Sequence, residues 1–253
     1  MTDKISVIMP ALNAGRFIGP ALRSLLREPG VDLDIIVVDD GSTDDTAAIV
    51  EKIAATHPCI RIINGPKAGV SRARNAGLAA VSPESRYITF LDADDHCAPD
   101  RIWRQLQLLK DNPDLEFIIG LVQFFEEIDE ETSRIIEGSK TVTVTGVQLA
   151  AALFRRSVFD RFGGFDEEMP QGEDTDFFMR LLEAQTPYLL ETVVAVFYRR
   201  HFANMTNDTA QVRRGFVDAL RKSLNRRRAG GGSMEIGDLF KRRGSAEEAF
   251  RNA

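Results

Sequence analysis

Four short apolar runs, at residues 5–9, 35–38, 60–63 and 87–91, each end in polar residues and give way to a helical pattern. That alternation constrains the fold more than any other feature, because consecutive parallel strands need a crossover long enough to hold a helix. The run Ile35-Ile36-Val37-Val38 is apolar at every position, as suits a strand covered on both faces. Helical patterns follow at 16–27, where Phe17, Ile18, Ala21, Leu22, Leu25 and Leu26 share a stripe, then from Ser42 or Thr43 as cap to about 55. Two more come at about 70–81 and after Pro99. Four strand–helix units in succession predict an α/β fold with a Rossmann-like, doubly wound sheet and helices in layers on both faces.

In such sheets ligands bind beyond the carboxyl ends of the strands. The unusual residues fall there: Asn13 after the first run, Asp39 and Asp40 after the second, the 67–74 segment after the third, and Asp92, Asp94 and Asp95 after the fourth. On an extended backbone Asp92 and Asp94 point the same way. Two such carboxylates repel unless a cation lies between them, and hard oxygen donors suit Mg²⁺ or Mn²⁺ bound with substrate phosphates. A polar turn capping the next helix is the plainer account of the same residues. Neither a phosphate-binding P-loop nor a G-x-G-x-x-G fingerprint is present, so cations and arginines must neutralise any phosphate here.

The net charge of −6 argues against a dedicated nucleic-acid binder. Two cysteines, Cys59 and Cys97, exclude a disulfide framework and fit a reducing, cytoplasmic setting. No apolar run reaches the ~18 residues that a membrane span requires. After about 112 the regular alternation stops. Strands are expected at 117–125, 141–145 and 193–197, and a helix with a strand-like start at 147–159. The expected organisation is one domain over 1–206, with a regular half at 1–112 and a second, mixed half at 113–206 packed on the same sheet. A helical, basic tail at 207–253 follows, broken at Gly230-Gly231-Gly232 and closing on a short polar helix. Nine basic residues and two acidic ones occupy 199–228. A solvated helix face accounts for them; peripheral docking on an anionic membrane is the sharper alternative.

Seven stretches, taken together and in order, resemble the family 2 glycosyltransferases of GT-A fold. They are Ser6-Val7-Ile8-Met9-Pro10 with Asn13, Val37-Val38-Asp39-Asp40-Gly41-Ser42-Thr43-Asp44, and Gly69-Val70-Ser71-Arg72-Ala73-Arg74-Asn75-Ala76-Gly77. Phe90-Leu91-Asp92-Ala93-Asp94-Asp95, Gly163-Gly164-Phe165-Asp166-Glu167 and Gly172-Glu173-Asp174-Thr175-Asp176-Phe177 follow, and Tyr198-Arg199-Arg200-His201 with Asn204-Met205-Thr206 is last.

The resemblance implies an inverting transfer of one sugar from a nucleotide-diphospho-sugar, most often a UDP-sugar, to a hydroxyl of a glycan, lipid-linked or small-molecule acceptor. It also implies that the 1–112 half binds nucleotide and that the 113–206 half holds the acceptor and catalytic groups. By the same resemblance Pro10, Ala11, Asn13 and Asp40, or Asp39, would hold the base and ribose. Arg74, or Arg72, would reach the nucleotide. Asp92 would face the ribose and the metal, Asp94 and His201 would bind Mn²⁺ or Mg²⁺, and Asp95 and Arg200 would meet the donor sugar or diphosphate. Asp174, paired with Glu173, would be the catalytic base, kept ionised by the helix end it occupies. His96 reads as a loop residue. Processive members carry Q-x-x-R-W late in the chain; here Gln211-Val212-Arg213-Arg214-Gly215 ends in glycine, which favours single-sugar transfer. A sugar nucleotidyltransferase would need a basic, glycine-rich loop after the first strand, and Ala11–Gly15 lacks basic residues. A catalytically idle binding subunit would be expected to lack Asp92, Asp94 or Asp174, and all three are present.

Overall fold

The computed structural model describes residues 3–202 and 204–230. Strands β1 (Lys4–Ala11), β2 (Asp32–Asp39), β3 (Ile60–Asn64) and β4 (Ser85–Phe90) alternate with helices α1 (Ile18–Leu26), α2 (Thr46–Ala54) and α3 (Val70–Ala79), as the apolar runs predict. The strands pair in parallel in the order β3-β2-β1-β4. Ile35 to Val38 have no exposed surface, which explains why that run is apolar at both alternations. Parallel pairing brings the carboxyl ends to one edge, with Ala11 level with Asp39 and Asp39 level with Asn64.

The second half adds β5 (His96–Cys97), α4 (Arg101–Asp111), β6 (Phe117–Phe125), a small hairpin of β7 (Ile128–Asp129) and β8 (Arg134–Ile135), and β9 (Thr141–Val144). Then come β10 (Ala152–Arg155), α5 (Arg156–Phe162), α6 (Glu173–Glu183), β11 (Tyr188–Arg199) and α7 (Thr209–Gly230). The sheet continues from β4 through β10, β6 and β11 to β5, with β9 also on β6. It is mixed, because β10 runs antiparallel to both β4 and β6.

Three expectations are corrected here. The helix expected over 147–159 is confined to its end: a short 3-10 turn at Leu149–Ala151 leads into β10, which fills the slot between β4 and β6, and α5 starts only at Arg156. Ala and Leu favour a helix locally, but a central place in a sheet satisfies the same backbone groups from both sides and outweighs propensity. Helix α2 begins at Thr46, where Asp44 Oδ1 accepts the Thr46 N–H at 3.0 Å. Ser42 and Thr43 instead bind the Asn13 turn. The last strand extends well beyond 193–197 at both ends. The glycine break's last two residues and the short polar helix lie outside the described residues.

One buried core draws on both halves. Phe165 packs edge-on against Phe90 at 5.5 Å between ring centres, and Phe177 lies 5.2 Å from Phe165 and stacks on Phe159 at 5.1 Å. This chain of rings ties the end of β4 to the first turns of α6. The other side of α6 is held by α7: Arg226 bonds Asp176 at 2.7 Å and Glu183 at 2.8 Å, and Lys222 meets Asp166 at 2.6 Å.

The two helices come closest at glycine. Gly172, at φ +85°, precedes α6, and a Cβ on it would lie 2.7 Å from the Gly215 carbonyl carbon. A Cβ on Gly215 would collide with the Gln171 carbonyl oxygen. Glycine at 215 is therefore a packing requirement of this chain. Gly215→Ala should cost about 1–3 kcal/mol through overpacking, read as a lower melting temperature; an unchanged one would contradict so close an approach.

Candidate active site

The polar residues at the carboxyl edge are arranged by the turns that leave each strand. After β1 the chain turns at Asn13, in the left-handed region at φ +50°. Its side-chain oxygen accepts the Thr43 N–H at 2.8 Å, and Ser42 Oγ accepts the Asn13 N–H at 2.9 Å, so the loops after β1 and β2 hold each other. Asp39 Oδ1 accepts the Ser42 N–H at 2.9 Å. Asp40 is buried and accepts N–H groups from Lys67 at 2.7 Å, Ala68 at 3.3 Å and Gly69 at 2.8 Å. Its first task is to hold the segment that enters α3.

Helix α3 then presents Arg74, only 6% exposed. One terminal nitrogen donates to Asp92 Oδ1 at 2.8 Å and the other to Glu173 Oε1. The guanidinium thus links the end of β4 and helix α3 to α6 across 99 residues of chain. Beside it, Asn75 bonds the Phe165 backbone in both directions, accepting N–H at 2.8 Å and donating to C=O at 2.9 Å. The Arg74-Asn75 pair and the Gly163-Gly164-Phe165 segment are two sides of one clamp. Arg72 is exposed and meets Glu167 at 3.3 Å.

The acidic stretch after β4 departs from the expected shared face. The strand stops at Phe90, and the Asp95 N–H closes a turn onto the Asp92 carbonyl at 3.1 Å. The two-residue alternation ends there, so Asp92 goes to Arg74 while Asp94 Oδ2 goes to His201 Nε2 at 2.9 Å. The two carboxylates of the expected shared face therefore have different partners. Asp95, expected at the donor sugar, has no exposed surface. Its Oδ1 accepts the Arg199 N–H at 3.0 Å, its Oδ2 is buried without a partner among the described residues, and burial together with Asp94 and Asp92 pushes its carboxyl well above the usual range.

His201 follows β11, stacked on Phe17 at 4.6 Å. Arg200 is half-buried just past the strand end, its N–H on the Phe125 carbonyl at 3.1 Å. Arg199 is the buried member of the pair and was not singled out by sequence. It lies between the rings of Phe17 and Phe125, at 5.1 and 5.2 Å, and donates to the Asp94 carbonyl at 3.1 Å and to Glu130 at 2.7 Å. Alternation along β11 could have found it, since Arg199 must face opposite to Tyr198 and Arg200. His96 is not a loop residue: it lies in β5, fully buried, with Nδ1 on Ser133 at 2.7 Å and Nε2 on Arg199 at 2.7 Å. Glu130, at the hairpin, is held down to about 2; burial opposes this, but bonds from His96 and Arg199 prevail.

Asp94 and His201 offer one oxygen and one nitrogen donor that meet at a single point. Among the described residues no three His, Cys, Asp or Glu side chains converge as a metal group. A two-donor set fits a cation that takes its remaining ligands from substrate phosphates and water, and imidazole favours Mn²⁺ over Mg²⁺.

Across the edge, Asp174 sits in the first turn of α6, half-buried, with Oδ1 accepting its neighbour Thr175 N–H at 2.6 Å. Burial first, and the adjacent Glu173 carboxylate second, push its carboxyl up to about 7, while Arg74 pulls the other way. The helix end does not keep it fully ionised as expected; burial outweighs it. A group poised near 7 can both take and release a proton at neutral pH. A cavity of about 370 Å³ opens close by, between the 168–171 loop and Gln211, Arg214 and Gly215 of α7.

These strand-end turns coincide with a known sequence pattern: residues 6–165 match the model described as "Glycosyl transferase family 2". The chondroitin synthase of Pasteurella multocida (strain Pm70) is 27% identical over 187 residues, which cover 71% of this chain but 19% of that protein. The chain therefore spans about a fifth of that relative's length. S. aureus TarS 1-349 in complex with UDP-GlcNAc superposes with a TM-score of 0.67 at 18% identity, covering 87% of this chain and 65% of that one. The mannosyltransferase PcManGT from Pyrobaculum calidifontis, in complex with GDP-Man and Mn²⁺, gives 0.69 at 18% identity, covering 95% and 68%. The structural likeness concerns the fold, and the sequence match takes in β1 to β4 with every turn that leaves them: the chain is a GT-A-fold member of glycosyl transferase family 2.

Proposed function

We propose that this glycosyltransferase moves one sugar from a nucleotide-diphospho-sugar, a UDP-sugar first among them, to an acceptor hydroxyl with inversion, in the synthesis of a cell-surface glycan. The observation that carries the reading is Asp174, a carboxyl poised near neutrality at a helix start, joined through Glu173 and Arg74 to the carboxyl edge of the parallel strands. Asp174 takes the proton of the acceptor hydroxyl while that oxygen bonds the anomeric carbon and the bond to the diphosphate oxygen breaks. One base on the acceptor side and a leaving group on the other make a single displacement, so the configuration inverts.

Pro10, Ala11 and Asn13 line the base and ribose side. A carboxylate has roughly four acceptor positions, and Asp40 uses three on the 67–69 backbone. The remaining one, with Asp39 Oδ2, suits the N3–H of uracil. Arg74 serves by fixing Asp92 toward the ribose rather than by gripping phosphate. Asp94 and His201 would hold a divalent cation, which when bound neutralises charge on the leaving diphosphate. Arg200, at the mouth of the same edge, supplies a fixed positive charge.

A thermal-shift series of UDP-, GDP- and dTDP-sugars with and without Mn²⁺ tests the donor and the cation together, since a ligand of the native state raises stability by mass action. The UDP-sugar should give the largest shift, and only with the ion. Asp94→Asn should abolish the Mn²⁺-dependent part while leaving the protein folded. Equal shifts for all donors, or full activity after chelation, would remove the donor or the metal assignment.

A further inference from the structure

Helix α7 carries seven basic residues and one acidic residue in a chain that is acidic overall. Its inner line, Gly215, Ala219 and Ser223, is buried on the α6 side. At about 100° per residue, Phe216, Val217 and Leu224 fall within an arc of roughly 100°, with Leu220 between them half-buried against Met169, Met179 and Ala219. Phe216 is 41% exposed, Val217 49% and Leu224 45%. Arg213, Arg221 and Arg228, all exposed, lie within that arc or directly beside it. The basic residues nearest the body of the protein have other work, Lys222 and Arg226 being bonded to Asp166, Asp176 and Glu183.

Apolar side chains set among arginines, on the outward face of a rigidly docked helix, are the pattern of a helix that lies in a membrane interface. A plain solvated face would not need the apolar arc. A nucleic acid or an acidic protein tail would use the arginines and leave Val217 and Leu224 in water. We propose that the outward face of α7 docks on an anionic lipid bilayer, with Val217 and Leu224 entering the headgroup region and Arg213 and Arg228 meeting lipid phosphates. No helix among the described residues is long and apolar enough to cross a membrane, so the contact lies along the surface. The inference does not depend on the transfer chemistry, and its test reads no activity.

The full chain is sedimented with vesicles of phosphatidylcholine alone and with vesicles containing about 30 mol % phosphatidylglycerol. Binding to the anionic vesicles should exceed binding to the neutral ones by about tenfold or more, because basic residues near a surface act together. Val217→Asp with Leu224→Asp, and separately Arg213→Glu with Arg228→Glu, should each remove most of that excess at unchanged melting temperature. If the aspartates lower the melting temperature, Val217→Ser with Leu224→Ser replaces them and must give the same loss. Equal partition onto the two vesicles overturns the proposal. So does binding that survives either pair, including the case where only the charge pair matters, which would mark a general polyanion surface.

Discussion

Asp174→Asn should lower turnover by about 10²–10⁴-fold, the usual contribution of a general base, while the dissociation constant of the donor stays near that of the parent enzyme. The pH dependence gives an independent reading. A base must be deprotonated to act, and burial together with Glu173 holds this carboxyl up to about 7. The rate should therefore climb through pH 7 and level off above it. The effect on stability has the opposite sign. Between the ordinary value of 3.8 and about 7, the folded chain keeps a proton that the unfolded chain has released. Stability is thus full below the lower value and falls as pH rises through the upper one. Asp174→Asn has no proton to release, so it should melt a few degrees above the parent at pH 8 and lose that advantage near pH 4. A variant that is inactive and equally stable at both pH values would keep the catalytic role but contradict the perturbed carboxyl. A fully active variant would end the assignment.

Arg74→Met should be the most damaging single change to stability, at roughly 3–5 kcal/mol, because it strands two carboxylates of which Glu173 is almost fully buried. Replacing Glu173 by Gln in the same chain should return part of the loss, and the coupling in that double-mutant cycle measures the pair. Because Arg74 lowers the Asp174 carboxyl, its removal should also shift the rising limb of the pH–rate profile to higher pH. A loss under 1 kcal/mol with an unmoved limb would show that the guanidinium does not bridge the two halves in solution.

The parallel half was legible because each strand is an apolar run closed by Pro, Asp or Asn, and such punctuation is local. What escaped depends on contacts far along the chain. Ala152 to Arg155 form a strand only because β4 and β6 leave a place between them. Asp95 reads as a third site carboxylate because it closes the acidic run after β4; the turn at 92–95 aims it inward to the Arg199 backbone, 104 positions away. The ion pairs of Arg74 with Asp92 and Glu173 are likewise invisible from the sequence around it. Of the three residues the resemblance puts at a metal, Asp94 and His201 contact each other, and their surroundings of Phe17, Arg199 and Glu130 belong to three-dimensional packing.

The contact between Asp94 and His201 closes a loop of 107 residues, and that between Arg74 and Glu173 one of 99. Such closures come late in folding, since the chain entropy they cost must be met before they return anything. During synthesis the four strand–helix units can therefore assemble and bury their apolar faces while the site does not yet exist. Its Asp94–His201 contact needs β11, which pairs with both β6 and β5 and comes about a hundred residues after Asp94. The Asp94–His201 contact is thus among the last to form, after the strand that leads to Asp94 is already packed.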